Sequence, residues 1–118
     1  MLPSYQNSID LLTNVANQKL YKQLIVQLNK DFSLTGIDLT FSENTPPLEL
    51  KEELQKSIKE LVLHDFSSYT NLLYRIDVSE KDTQNIESTD INVYTECLTF
   101  LILKRVWKKV WFKNQFTK

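Results

Sequence analysis

A single glycine in 118 residues constrains this chain more than any other feature of its sequence. Tight two-residue hairpins need backbone at positive φ, which glycine supplies best, so a chain whose sole glycine is Gly36 has little room for the closely spaced reversals of an all-β protein. Helical periodicity fills the space instead. Tyr5, Ile9, Leu12 and Ala16 recur at steps of three and four residues, with Pro3 ahead of them where a helix start tolerates proline. Leu20, Leu24 and Leu28 follow, flanked by Tyr21, Ile25 and Phe32. The apolar face drifts by roughly 120° between these two sets, which predicts a break between Asn14 and Lys19. Gly36 then falls where a helix C-terminal cap is expected.

Residues 37–41 alternate polar and apolar side chains like a half-buried strand, but no second strand is evident to pair with them. An extended connector pinning Leu39 or Phe41 onto the core is the preferred expectation. An exposed edge that pairs with a partner is the alternative. After it, Thr45-Pro46-Pro47 opens a helix whose stripe is Leu50, Leu54, Ile58, Leu61 and Val62, and Tyr69, Leu72, Leu73 and Ile76 repeat the pattern. Ser79 to Asn85 reads as a loop or one short turn, Ser79 and Asp82 standing at capping-box spacing. Ser88, Thr89 and Asp90 are candidate N-caps for a long last helix reaching about Lys113. The expected architecture is all-α: a compact bundle of four or five helices with a long C-terminal helix, forming one domain over residues 1–118.

Charge is distributed unevenly along this pattern. Residues 1–96 carry eight basic and fifteen acidic side chains, a balance of −7, whereas residues 97–118 carry six basic and none acidic, +6. Both tryptophans lie in the basic part. On a helical projection Val93, Tyr94, Cys97, Leu98, Phe100 and Leu101 make the apolar half of the proximal segment, leaving Asn92, Thr95, Glu96 and Thr99 as a polar strip. From Leu103 onward Val106, Trp107, Val110 and Trp111 fall on that formerly polar side, and Lys104, Arg105, Lys108, Lys109 and Phe112 oppose them. The face of this helix is therefore expected to change side along its length. Cys97, set in an apolar run, is expected to be a buried thiol in a reducing compartment.

These features rank the function classes. One histidine, His64, and one cysteine leave a Cys–His nucleophile to a chance encounter. No pair of His or Cys residues has metal-ligand spacing, no Glu-x-x-His pair exists, and one glycine excludes a glycine-rich phosphate loop. A non-catalytic protein without cofactor, metal or small-molecule substrate is expected. The N-terminus lacks the marks of a secretory signal and the longest apolar run is about seven residues, so a cytoplasmic location is expected and a membrane span is not.

The segments Thr70-Asn71-Leu72-Leu73-Tyr74-Arg75-Ile76-Asp77-Val78-Ser79-Glu80 and Leu101-Ile102-Leu103-Lys104-Arg105-Val106-Trp107-Lys108-Lys109-Val110 are similar to a pattern found in small, uncharacterised bacterial helical proteins. The resemblance implies a bacterial cytosolic helical protein and carries no activity with it. From the residues themselves, Arg75 and Asp77 flank a core-facing Ile76 and are expected to pair either with each other's neighbours or with the basic C-terminal segment, a structural ion pair being preferred over an anion-binding role for Arg75.

The functional expectation rests on that segment. Lys104, Arg105, Trp107, Lys108, Lys109, Trp111, Phe112 and Phe116 form the candidate interaction surface. Packing of the Trp107 and Trp111 arc against another element of the same chain, such as the N-terminal helix, with lysine stems reaching to water, is the preferred structural reading. As a binding function, a protein partner or a second copy of the chain is the first expectation, Trp and Tyr being frequent interface anchors. An anionic membrane surface is the alternative. The acid-rich remainder weighs against nucleic acid. Phe112 and Phe116 are the residues that packing within one chain explains least well.

Overall fold

The computed structural model describes residues 5–16 and 19–116, and within them every regular element is a helix. The helices are α1 (Ser8–Ala16), α2 (Tyr21–Leu34), α3 (Pro47–His64), α4 (Phe66–Ile76), α5 (Glu80–Gln84) and α6 (Ile91–Phe116). Five of them match the expected bundle. The sixth, α5, is the short turn expected as the alternative to a loop in this stretch, and Ser79 caps it without a side-chain hydrogen bond. Pro3, expected at the first helix start, lies outside the described residues, as do Asn17 and Gln18 within the expected break. On either side of these two, α1 ends at Ala16 and α2 starts at Tyr21.

Local chemistry sets the helix ends. The Asp10 amide donates to Asn7 Oδ1 at 2.9 Å while Asp10 Oδ2 accepts from the Gln6 amide at 3.0 Å, a reciprocal cap for α1. At the end of α2, Gly36 takes φ +78°, its amide donates to Ser33 O and the Ile37 amide donates back to Phe32 O. This is the Schellman arrangement, and the one glycine occupies the position where a Cβ is least welcome. Asp65 ends α3 and starts α4, accepting the Ser68 amide at 3.2 Å and the Ser68 hydroxyl at 2.7 Å. Asp90 accepts the Asn92 and Val93 amides and caps α6.

The connector from Gly36 to Pro46 contains no strand. Asn29 holds its backbone at Phe41: Asn29 Nδ2 donates to Phe41 O and the Phe41 amide donates to Asn29 Oδ1, both at 2.9 Å. The side-chain amide thus satisfies both backbone hydrogen-bonding groups of Phe41, and Phe41 is pinned into the core. Tyr21 adds a second tether, its hydroxyl donating to Thr45 O at 2.6 Å.

The helices α1, α3, α4 and α2 form a closed cycle of contacts, and α6 touches all of them and α5. With 26 residues α6 extends about 39 Å, close to the 41 Å long dimension of the molecule. Its buried residues are Thr95, Leu98, Thr99, Ile102, Leu103, Val106, Trp107 and Val110, alternating steps of one and three. They make one continuous stripe, so the expected change of face does not occur. The two threonines account for the difference. Thr95 Oγ1 donates to Ile91 O at 2.8 Å and Thr99 Oγ1 to Thr95 O at 2.7 Å. With their hydroxyls satisfied inside their own helix, both side chains join the core. Val93 and Cys97 turn outward in consequence, and Cys97 is exposed rather than buried.

Polar groups lock the proximal part of α6 to α3. Lys51, Gln55 and Lys59, one turn apart on α3, reach respectively Glu96 at 3.6 Å, Asn92 O at 3.2 Å and Asn92 Oδ1 at 3.0 Å. The expected stripes of α2, α3 and α4 are buried at Leu24, Ile25, Leu28, Phe32, Leu50, Leu54, Ile58, Tyr69, Leu72 and Ile76. In α1 the deep side chains are Leu11, Leu12 and Val15, whereas Ala16 of the expected set is exposed.

Candidate interaction surface on the C-terminal helix

The distal half of α6 divides its eight candidate residues among different tasks. Trp107 is 1% exposed and belongs to the core, so it lies on no surface of the chain. Its indole N–H has no hydrogen-bond partner among the described residues. Trp111 is half-buried and meets the Phe112 ring edge-on, centroids 5.1 Å apart. Phe112 and Phe116 are 39% and 80% exposed, and their rings stack at 6.2 Å with 11° between planes. Four residues apart on one helix, they form a small aromatic step on the outside of the bundle.

The four cations differ as sharply. Arg105 is committed to Asp77: Nε donates to the Asp77 carbonyl and Nη2 to Oδ2, both at 3.2 Å. Asp77 ends α4 with φ +69°, a left-handed conformation that aspartate tolerates better than most residues, and the guanidinium satisfies both acceptors presented there. Lys109 is committed to Asp31, its Nζ 3.2 Å from Oδ2. Asp31 lies on α2 at 1% exposure and also faces Arg75 of α4 at 3.9 Å and the Gln27 amide at 3.2 Å. One buried carboxylate therefore ties three helices together. Lys104 lies 4.6 Å from the Phe100 ring centroid, a cation–π contact one turn back. Lys108 is exposed and has no carboxylate partner among the described residues.

Lys104, Lys108, Phe112 and Phe116 stand at successive four-residue steps and form one outward ridge. Beside its basic end lies a cleft of about 610 Å³ lined by Asp77, Ser79, Asp82, Leu101, Arg105 and Lys108 among others. With carboxylates and cations both on its walls, it is a mixed-charge hollow. A smaller one, about 390 Å³, is lined by Leu34, Thr35, Asn71, Tyr74 and Arg75.

Composition does not single out Asp31, yet its position carries a sign. It stands seven residues after Leu24 and three after Leu28, on the apolar stripe of α2, where an acid requires a partner. Asn29 carries no comparable sign. Elsewhere, His64 is exposed at the end of α3, 3.7 Å from Glu60. Hydrogen bonds from the Ser68 side chain, and then from its backbone, hold the Asp65 carboxyl below its ordinary range. Burial, with Glu49 nearby, pushes the Tyr21 phenol up to about 12. Burial first and the neighbouring Tyr94 second also raise the Tyr69 phenol. Among the described residues no three His, Cys, Asp or Glu side chains converge to hold a metal ion, and no helix is long and apolar enough to cross a membrane.

Comparison with known proteins leaves the site to its own geometry: no family model, no curated protein and no solved structure matches the chain.

Proposed function

We propose that this protein is a non-catalytic helical interaction module whose contact face is the outward ridge of distal α6, with a second copy of the chain as the first partner to test. The exposed, mutually stacked pair Phe112 and Phe116 carries the reading. Large aromatic rings, phenylalanine among them, are enriched at protein interfaces, and these two are left outside a core that has already taken Trp107. The pairing of Arg105 and Lys109 within the chain narrows the face to Lys104, Lys108, Phe112 and Phe116. Sedimentation equilibrium over a wide concentration range tests it. Association that is lost in the Phe112→Ser/Phe116→Ser variant is the expected result, and a strict monomer at every concentration would overturn self-association.

One observation favours a second reading, contact with an anionic membrane surface: Lys104 and Lys108 have no acidic partner among the described residues and adjoin two exposed rings. It predicts salt-reversible co-sedimentation with vesicles of phosphatidylcholine and phosphatidylserine. Absence of binding at low salt disposes of it.

A further inference from the structure

The order of side chains along the ridge specifies how a second copy would lie on it. Going up the helix the ridge reads Lys104, Lys108, Phe112, Phe116, two cations and then two rings at equal spacing. Inverted, the same series reads two rings and then two cations. We infer that the ridge is self-complementary in the antiparallel sense, and that two copies associate through α6 about a two-fold axis near residue 110, with Lys108 over the partner's Phe112 and Lys104 over the partner's Phe116. The inference rests on the proposed interaction face and its self-association, and adds the orientation and register of the two copies.

Three observations support this arrangement. A two-fold interface is isologous, so each lysine–ring contact occurs twice, and a pattern that matches its own inverse gains from that doubling. The pairing chemistry already exists in the chain, where Lys104 lies 4.6 Å from the Phe100 centroid. And the alternatives are disfavoured by charge: a parallel, in-register pair would set Lys104 and Lys108 against their own copies, while Arg105 and Lys109, paired with Asp77 and Asp31, add little to the repulsion in either orientation.

Helix geometry permits the contact. Residues four apart form ridges inclined to the helix axis, and two such ridges run alongside each other when the helices cross at about −50°. From Lys104 to Phe116 the ridge spans about 18 Å along the axis, at about 1.5 Å per residue. A contact of that length falls short of the ~800 Å² per partner of a standard stable interface. The dimer is therefore weak and concentration-dependent.

Disulfide trapping tests the register in a Cys97→Ser background, which removes the exposed native thiol. Protein carrying Lys108→Cys is mixed with protein carrying Phe112→Cys and oxidised mildly, circular dichroism first establishing that each is folded. The expected product is the mixed disulfide, in excess over either homodisulfide, and its yield falls about tenfold when Phe116→Ser is added to both chains. A homodisulfide at 108 as the main product would overturn the antiparallel register while leaving the interaction face standing. Association that survives Phe112→Ser/Phe116→Ser unchanged, or a strict monomer, would overturn both.

Discussion

Lys109 Nζ lies 3.2 Å from Asp31 Oδ2, joining residues 78 positions apart in the sequence across the α2–α6 interface. Because Asp31 is almost wholly buried, this pair differs from a surface salt bridge in what its loss would leave behind. Lys109→Met leaves the carboxylate with Arg75 at 3.9 Å and the Gln27 amide. The expected destabilisation is about 2–3 kcal/mol, somewhat below the loss for a fully enclosed pair because Lys109 itself is partly exposed. Asp31→Leu combined with Lys109→Met should be less destabilising than Lys109→Met alone. Urea unfolding of the double-mutant cycle measures this, and simple additivity would contradict the coupling.

Asn29 makes hydrogen bonds to both backbone groups of Phe41, and among the described residues no strand lies beside the connector to replace them. Asn29→Ala should destabilise by about 1–3 kcal/mol, since a part-buried amide and carbonyl both lose their partner. Amide hydrogen exchange at Phe41 should accelerate more than exchange in the centre of α3. Equal acceleration at both would place the effect in global unfolding rather than in the connector.

The outward turn of Cys97 makes a prediction opposite to that of a buried thiol. Native protein should react with a thiol reagent without denaturant, at a rate near that of the urea-unfolded chain. On the buried side of the same helix, Thr99→Val removes a hydroxyl whose acceptor, Thr95 O, also belongs to the helix ladder, and should change stability by no more than about 1 kcal/mol. Leu98→Ala, adjacent on the core stripe, should destabilise by about 2–5 kcal/mol. Protection of Cys97 together with tolerance of Leu98→Ala would mean that the opposite face of α6 is packed.

Asp65 caps α4 in its charged form, and its folded carboxyl is held low by Ser68. A carboxyl lowered on folding stabilises the protein above its unfolded pKa of ~3.9 and loses that contribution as pH falls through its folded value. Asp65→Asn keeps a capping acceptor but cannot titrate. Stability measured by urea unfolding between pH 5 and pH 2 should therefore fall less steeply in Asp65→Asn than in the parent protein. Identical acid profiles would remove Asp65 from the pH dependence.

Most of the helical elements are legible in the order of residues alone. Stripes at Leu24 to Phe32, Leu50 to Ile58 and Tyr69 to Ile76 repeat the helical period within single segments, and Gly36 marks a helix end, because these are properties of neighbouring residues. The two threonines of α6 escape the same reasoning. A hydropathy projection treats every hydroxyl as turned toward water, whereas Thr95 and Thr99 spend theirs on carbonyls one turn back. Placing these two positions in the core is enough to turn an apparent change of face into one stripe and to carry Cys97 outside.

The candidate surface is half legible. Phe112 and Phe116 stand out in the sequence as rings for which a single chain has little use, and both are exposed. The division of the cations is not readable from spacing, since Lys108 and Lys109 are equivalent by composition and differ only in which has a buried carboxylate within reach.

What the sequence determined by itself is the helical class, the sites of several helix ends and the existence of a long basic, aromatic C-terminal helix, all of which follow from interactions within a few residues. Tertiary structure alone decided which of the two tryptophans is wholly buried, the tethering of Phe41 by Asn29, and the engagement of Lys109 and Arg105 by Asp31 and Asp77. Each of these depends on contacts between distant segments, whose approach is set by how the helices pack and not by the period of any one of them.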